Sequence, residues 1–265
     1  HMKIKTCPLG NLGANFYAVI DEETKEIYQS KEVVFYTNSV RMITSTITRN
    51  NLNPDQVNII CADTDKNKRS LERIGHSIGV APLKGEPHKM FTFCTRTTYV
   101  GADFYSTCAS SVIVSDCKID SLSTDIRMDF PQIMGRQRLK ENMFRNECTF
   151  IFSLSDNSIT MEQFEKICNN KMKLTEIDIK NYNSISSDCN NSSEGIASLL
   201  FDLRNRIRGL NYSRDYTGIS VKEGKPVINK LVLLAEKRAF ELRSGIYRDI
   251  FSVYEEFNSL IEAVS

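Results

Sequence analysis

Five short apolar runs alternate with stretches of helical character in the first part of the chain. The runs are rich in β-branched and aromatic residues, as are strands buried on both faces of a parallel sheet. They occupy residues 33–36, 57–61, 89–95, 111–115 and 148–152. Helical patterns lie between them at residues 39–50, 66–78 and 131–142, and Asn38 or Ser39 is placed to cap the first helix. The alternation predicts an α/β fold in which helices flank a parallel sheet.

The pattern changes on either side of this region, which predicts three segments. Residues 1–30 predict short strands in an N-terminal hairpin segment, and residues 31–153 predict the α/β domain. Residues 154–265 predict a mostly helical extension of unknown role. Thr160 to Gln163 has the sequence of a capping box that opens a helix to about residue 169. Further features are an Asn- and Ser-rich linker at 181–195, a hairpin turning at 223–225, and helices over 230–263 broken at Gly245.

Composition and charge narrow the classes of function. With 265 residues, of which 41% are hydrophobic and 25% charged, the chain has the composition of an ordinary globular protein. Its formal net charge of +1 gives no global basic field, so binding of nucleic acid needs a local patch. Eight cysteines without a C-x-x-C motif, and only three histidines, predict no metal site and predict buried thiols in a reducing cytoplasm. The sequence has no signal peptide and no apolar run as long as about 18 residues, so no membrane partner is expected.

Two polar segments carry the candidate chemistry. Residues 95–104 read T-R-T-T-Y-V-G-A-D-F, and residues 132–138 read Q-I-M-G-R-Q-R. Short hydroxyls and exposed backbone amides can bind phosphate oxygens without steric bulk, and glycine allows the backbone to approach a ligand closely. A carboxylate suits a ribose hydroxyl or an arginine, and a fixed guanidinium fork stabilises charge on a transferring phosphoryl group. The two segments therefore predict contacts with phosphates and with a nucleotide.

In this order and spacing, the two segments resemble motifs V and VI in the C-terminal RecA-like domain of superfamily 2 nucleic-acid helicases. The strand at 33–36 and its polar end resemble motif IV, so the resemblance covers about residues 32–152. It implies a RecA-like sheet that serves as the second motor domain of an ATP-dependent helicase or translocase. By this resemblance, nucleic acid contacts Thr37, Asn38, Thr95 and Thr97, the nucleotide lies beside Gly101, Asp103 and Gly135, and the catalytic residues are Gln132, Arg136 and Arg138.

Arg136 has the role of an arginine finger in this resemblance, and Gln132 links the nucleotide to the nucleic acid. Most members of the superfamily carry Q-x-x-G-R-x-x-R, whereas here the second arginine comes one residue early, at Arg138. Since one position on a helix is about 100° of rotation, Arg138 is expected to miss the phosphate that the usual arginine contacts. The shortened G-R-x-R-L form is similar to the herpesvirus origin-binding-protein branch, which indicates a phage or viral replication protein.

The resemblance also implies a cofactor and partners. ATP with Mg²⁺ is expected to bind mainly to a first RecA-like domain of the same parent protein, because this sequence lacks the phosphate-binding loop G-x-x-x-x-G-K-[ST]. The chain alone is therefore expected to be inactive as an ATP hydrolase. Its His1-Met2 start is typical of an expression tag and predicts a piece cut from a longer protein. Single-stranded or duplex nucleic acid, with DNA favoured, is the expected partner, in the cytoplasm of a bacterium or of a phage-infected cell.

A second basic stretch and two other classes of function stay open. Arg204, Arg206 and Arg208 precede Tyr212 and Tyr216. Interleaved cations and aromatic rings can hold a single strand, although a solvated helix face has the same composition. The chain also fits a non-catalytic nucleic-acid-binding RecA-like module, or an α/β adaptor whose arginines meet a protein partner. DNA binding that is absent or insensitive to salt favours the adaptor, since phosphate contacts weaken with salt.

Overall fold

A computed structural model of the chain describes residues 3–8, 18–20, 27–119, 122–185, 194–195, 198, 201–202, 219–223 and 225–264. The chain divides into two compact units. Unit 1 contains His1–Asp156 and Ile246–Ser265, and unit 2 contains Asn157–Gly245. These boundaries differ from the segments expected from the sequence, because the last part of the expected C-terminal extension belongs to unit 1.

Unit 1 is built on a parallel sheet. In chain order its strands are β1 Lys3–Pro8, β2 Ala18–Ile20, β3 Ile27–Gln29, β4 Glu32–Tyr36, β5 Val57–Ile60, β6 Phe91–Cys94, β7 Ala109–Asp116 and β8 Glu147–Ser153. Six of them form one sheet in the order β1-β8-β7-β4-β6-β5, with every neighbouring pair parallel, and β2 and β3 form a separate antiparallel pair. The predicted fold class, a RecA-like parallel sheet flanked by helices with a mostly helical C-terminal part, is confirmed.

Strand β1 differs from the expectation of a separate N-terminal hairpin segment. Lys3 pairs with Glu147 and Pro8 pairs with Phe152, so β1 extends the main sheet beyond β8. Its K-I-K-T-C sequence alternates polar and apolar residues, a pattern typical of an edge strand rather than of a strand buried on both faces. The antiparallel hairpin of this region consists of β2 and β3 alone.

Helices connect the strands of unit 1 and form most of the described part of unit 2. Those with continuous described backbone are α1 Val40–Arg49, α2 Asp65–Glu72, α3 Asp129–Met134, α4 Met161–Ile185, α5 Lys230–Ser244 and α6 Ile250–Val264. Ser39 caps α1, since its hydroxyl accepts a hydrogen bond from Met42 N–H at 3.1 Å. Helix α2 is shorter than expected because Gly75 takes a left-handed φ of +73° and His76 N–H turns back to Leu71 O at 3.0 Å.

One face of the sheet is covered by α1 and α2. Ile43 and Ile47 of α1 and Leu71 of α2 are buried in one apolar cluster with Ile59 and Phe93 of the sheet. The apolar positions of α1 lie four residues apart, which leaves the opposite side of this helix polar. The packing therefore fixes which side of α1 is presented to solvent.

The other face is covered by α3 and α6. The ring of Phe150 on β8 meets the ring of Phe130 on α3 edge-on, with centroids 4.8 Å apart, and meets that of Phe257 on α6 at 5.7 Å. A 3₁₀ turn, Ile246–Arg248, precedes α6, and its Tyr247 donates a hydrogen bond to Thr124 O at 2.6 Å. The end of the chain is thus part of the core of unit 1.

Unit 2 contains α4, α5 and an antiparallel hairpin of β9 Ile219–Lys222 and β10 Lys225–Ile228, as predicted around residues 223–225. The predicted capping box is confirmed, because Gln163 N–H donates to Thr160 Oγ1 at 3.2 Å and Thr160 N–H donates to Gln163 Oε1 at 2.9 Å. The stacked rings of Phe164 and Phe240, 4.0 Å apart, join α4 to α5. In the described part of the chain, no helix combines the length and the apolar character needed to cross a membrane.

Candidate functional site

The loops that follow β4 and β6 meet at the carboxyl edge of the sheet. Strand β4 lies between β6 and β7. After β4, the chain adds β5 and β6 on one side of this strand and then adds β7 and β8 on its other side. Ligands of open parallel sheets bind at such a switch point, outside the carboxyl ends of the strands. Thr37 N–H donates to Cys94 O at 2.9 Å, and Arg96 N–H donates to Asn38 Oδ1 at 3.2 Å. Predicted residues from the two loops therefore lie side by side.

A cleft of about 960 Å³ opens at this edge, between α1 and α2. One wall is the solvent-facing side of α1, on which cations and hydroxyls recur at helical spacing, and the other wall is a side of α2. The loops after β4, β5 and β6 contribute the rest of the lining. The polar residues of this lining are Arg41, Thr44, Ser45, Thr48 and Arg49 on α1, Lys66, Asn67, Ser70 and Arg73 on or directly after α2, and Asn38, Ser39, Thr95 and Thr97 in the loops.

The cleft is positively charged. Its four cations, Arg41, Arg49, Lys66 and Arg73, form no ion pair with any residue that the structure describes. The described residues that line the cleft include no carboxylate. Cations without counter-charges attract an anionic ligand, and the neighbouring hydroxyls and amides can donate hydrogen bonds to phosphate oxygens. The arrangement is suited to a phosphodiester backbone.

The hydroxyls predicted to contact nucleic acid differ in their access to this cleft. Thr95 is buried, but its Oγ1 lies 3.1 Å from Oγ1 of the exposed Thr97, and both residues line the cleft. Thr37 is also predicted as a contact, yet it is buried, donates to Met42 Sδ at 3.3 Å and is not part of the lining. Thr97 is therefore the residue of this group best placed to meet a ligand directly.

The motifs expected from the sequence do not include the cations that α1 and α2 contribute to the cleft. The sequence from Arg41 to Arg49 places cations and hydroxyls at positions 41, 44, 45, 48 and 49, which share one side of a helix. Helical periodicity in the sequence therefore predicts this wall of the cleft. The second wall is different, because nothing in the local sequence shows that α2 lies opposite α1. Arg69, which follows the second predicted strand, lies on α2 outside the cleft lining.

The segments predicted as motifs V and VI pair with each other through their backbones. Phe104 N–H donates to Arg136 O, and Arg138 N–H donates to Phe104 O, both at 2.9 Å. These bonds form a parallel β-bridge between Phe104 and Gln137. Two segments that are distant in sequence therefore share one local structure.

This bridge corrects the helix expected over residues 131–142. Helix α3 ends at Met134, and the backbone around Gln137 belongs to the β-bridge. The expectation that Arg138 is rotated by about 100° from the usual position of the second arginine assumed a helix and does not apply, because side chains on either side of a bridged residue point in the same direction. The two guanidinium groups consequently reach the same partner.

That partner is Asp103. Its Oδ1 lies 3.2 Å from Arg136 Nη1 and 2.8 Å from Arg138 Nη2. Asp103, Arg136 and Arg138 together form the Asp103 cluster. Arg136 also donates from Nε to Gln132 O at 2.8 Å and from Nη1 to Val100 O at 3.1 Å, and its side chain is only 13% exposed. The Arg138 side chain is 44% exposed. One carboxylate faces two guanidiniums, so the cluster retains a net positive charge.

The glycines and the glutamine predicted for this site lie beside the Asp103 cluster. A Cβ added at Gly101 would meet only Thr97 O, at 3.9 Å, and one added at Gly135 would meet Pro131 O at 3.5 Å. A Cβ would therefore be accommodated at either position in ordinary van der Waals contact, so the backbone of this chain does not require glycine at either one. Gln132 is exposed on α3, and its carbonyl oxygen accepts the Arg136 hydrogen bond.

Three ionisable side chains are buried near one another at the ends of β4 and β6, and Tyr36 among them is close to Arg136. Burial raises the pKa of the Cys94 thiol to about 12 and raises the pKa of the Tyr36 and Tyr99 phenols. All three groups are therefore neutral at neutral pH, and the charged groups that act on the two phenols are Arg136, Arg96 and Asp129. This chemistry suits ion pairing with a phosphate rather than proton transfer.

The second predicted basic stretch, Arg204, Arg206 and Arg208, lies outside the described residues. The chain was also compared with protein-family models and with curated proteins, and neither comparison finds a match.

Proposed function

We propose that this chain is the second motor domain of an ATP-dependent superfamily 2 helicase or translocase and that it holds nucleic acid in the cleft between α1 and α2. One observation carries the proposal. The described lining of this cleft has no carboxylate and has four cations that form no ion pair with any described residue, and it contains the predicted contacts Asn38, Thr95 and Thr97. A polyanion is the ligand that such a surface attracts most strongly.

The lining favours contact with the sugar–phosphate backbone over contact with bases. Serine and threonine hydroxyls and asparagine amides form most of its uncharged part, and none of its described residues is aromatic. Bases stack on aromatic side chains, whereas hydroxyls, amides and guanidiniums bind phosphate oxygens. Binding would therefore be independent of sequence, to a single strand or a duplex, with DNA favoured by the resemblance.

The Asp103 cluster is the part of this chain that fits a nucleotide phosphate. Arg136 and Arg138 direct two guanidinium forks to the same carboxylate oxygen of Asp103. ATP with Mg²⁺, bound mainly by a first RecA-like domain of the parent protein, would supply the free energy for movement along a strand. The role of this chain would be to contact the terminal phosphate through the two arginines and to hold the strand in the cleft.

Free thiols support the proposed location. Five of the described cysteines, Cys61, Cys94, Cys108, Cys148 and Cys168, form no disulfide. Unpaired thiols are typical of reducing compartments, in agreement with the cytoplasm of a bacterium or of a phage-infected cell.

A non-catalytic nucleic-acid-binding module is the second candidate. It is favoured by the engagement of Arg136, whose guanidinium already bonds Asp103, Val100 O and Gln132 O. Such a module would use the cleft without ATP turnover. A phosphate-binding loop upstream in the parent sequence would favour the motor, and a parent sequence without one would favour the module.

The first test measures binding of a fluorescent oligo-dT strand, and of an RNA strand of equal length, by anisotropy over a salt series. We expect affinity to fall as salt rises, with a logarithmic slope of about 0.7 per phosphate contact. The pairs Arg41→Ala/Arg49→Ala and Lys66→Ala/Arg73→Ala each remove two cations from one wall. Each pair should weaken binding by at least about tenfold and reduce the slope.

The matched control for these variants is Lys68→Ala/Arg69→Ala. It removes two cations from α2 at positions outside the cleft lining and should change affinity by less than about threefold. Equal losses in the control and in the cleft variants would show that the attraction is not located in the cleft. Binding that is absent, or insensitive to salt, would favour a protein adaptor instead.

A further inference from the structure

Arg96 lies between Thr95 and Thr97, the two hydroxyl residues that the loop after β6 contributes to the cleft lining. It is the first residue of a 3₁₀ turn, Arg96–Thr98, which follows Thr95 directly and contains Thr97. Its backbone N–H donates to Asn38 Oδ1 at 3.2 Å, so the backbone of Arg96 joins the loop after β6 to the loop after β4. Any ligand that displaces these two loops displaces the backbone of Arg96 with them.

The guanidinium of Arg96 connects to the start of α3. Its Nη2 donates to Ser123 O at 3.0 Å and to Asp129 Oδ2 at 2.8 Å. Asp129 is the first residue of α3, and its Oδ2 also accepts the backbone N–H of Asp125 at 2.9 Å. Because this donor group is engaged by two acceptors on the α3 side, Arg96 is attached to α3 and does not line the cleft.

The far end of α3 leads to Arg136. The helix ends at Met134, and Arg136 then bonds Asp103 and Val100 O, which belong to the same loop that Arg96 begins. The loop at 95–104 and the segment at 123–138 are consequently joined at both ends, by the Arg96–Asp129 ion pair and by the Asp103 cluster. A displacement of the loop at 95–104 therefore acts on the segment at 123–138 through contacts at both of its ends.

We infer that Arg96 is a positioning residue that transmits occupation of the cleft, through Asp129 and α3, to Arg136. This inference rests on the proposed function, since it takes a nucleic-acid strand as the ligand of the cleft. Arg96 does not itself bind the strand. Its loss should therefore leave binding in place and remove the effect of binding on α3 and on the Asp103 cluster.

The test is hydrogen–deuterium exchange of the whole chain with and without saturating oligo-dT. In the wild type, we expect binding to change exchange in peptides that cover residues 129–138 as well as in those that line the cleft. In Arg96→Ala and in Asp129→Asn, oligo-dT affinity should stay within about threefold of wild type, while the change at 129–138 is lost. Arg96→Lys keeps a cation opposite Asp129 and should restore part of the change, which a general loss of stability would not.

The outcomes separate this inference from the proposed function. Failure of the wild type to bind either oligo-dT or the RNA strand of equal length refutes the proposed function and this inference with it. Binding without any change at 129–138, or an unaltered change in both Arg96→Ala and Asp129→Asn, overturns the inference and leaves the cleft as the binding site. Thermal unfolding of each variant shows that it is folded, and the smaller change Asp129→Asn provides the decisive result if Arg96→Ala does not fold.

Discussion

At the scale of single residues, the Asp103 cluster shows how one carboxylate organises two cations. Arg136 and Arg138 both meet the same oxygen of Asp103, because the β-bridge at Gln137 directs their side chains to one side. The acid and both arginines could be named from the sequence. Their common orientation could not, since helical geometry predicts that they diverge.

Replacing Asp103 tests whether this carboxylate competes with phosphate. In Asp103→Asn, the two guanidiniums lose their shared counter-charge while the shape of the side chain is kept. The affinity of the chain for inorganic tripolyphosphate should rise by about tenfold, as measured by isothermal titration calorimetry. Adding Arg136→Ala to this variant should abolish the gain.

The control for Asp103→Asn is Asp55→Asn, which makes the same change of charge at an exposed position of unit 1. It should leave the tripolyphosphate affinity near that of the wild type. A similar gain in both variants would mean that net charge alone governs phosphate binding, contrary to a role for Asp103 as the local competitor.

At the scale of elements, helix α3 leads into the segment that contains Arg136, and helix α6 packs against α3 in the same layer. Phe257 on α6 meets Phe130 on α3 with ring centroids 4.8 Å apart, and Arg127 forms two hydrogen bonds with the carboxylate of Glu256, at 2.6 and 3.0 Å. Helix α3 has only two buried apolar residues, Phe130 and Ile133. Its position therefore depends on a helix from the end of the chain.

Phe257→Ala should destabilise unit 1 strongly. The side chain is 5% exposed, and truncation of a buried phenylalanine costs about 3–5 kcal/mol of unfolding free energy. Phe251→Ala on the same helix is the control, since Phe251 is 76% exposed and its removal should change stability by no more than about 0.5 kcal/mol. Urea unfolding measures both, and equal small effects would show that α6 is not part of the core.

At the scale of the whole molecule, unit 2 is an insertion into the sequence of unit 1. The chain leaves unit 1 after Asp156 and returns at Ile246. Ser155 N–H donates to Tyr247 O at 2.9 Å, so the two connections are held together within unit 1. Domains inserted at such adjacent points can be removed without breaking the core of the host.

Replacement of residues 157–245 by a Gly/Ser linker of about four residues should leave unit 1 folded. The shortened chain should unfold cooperatively in urea with a smaller m value than the full chain, because less surface is exposed. It should also retain salt-dependent binding of oligo-dT. Loss of binding in a folded, shortened chain would contradict the assignment of the binding site to the cleft. It would place nucleic-acid contact in unit 2, which contains Arg204, Arg206 and Arg208.

The sequence by itself determined the features that depend on neighbouring residues. Apolar runs and helical periodicity predicted strands β4 to β8 and the α/β class, while side-chain chemistry predicted a cap at Asn38 or Ser39, of which Ser39 is the one observed, and a cap at Thr160. Short motifs identified Thr95, Thr97, Asp103, Arg136 and Arg138 as candidate site residues. The predictions of the strands and of the caps are confirmed because a cap or an amphipathic face is stabilised within a few residues of chain, whereas the roles of the site residues stay predictions.

Only the tertiary structure decided what depends on distant contacts. The place of β1 at the sheet edge, the β-bridge that ends the helix before Gln137, and the return of α6 to unit 1 all rest on partners far away in sequence. The cleft has the same origin, since its charge comes from two helices that packing on one face of the sheet brings together. Local periodicity specifies the elements, but the order of the strands and the long-range bonds between loops determine which side chains share a site.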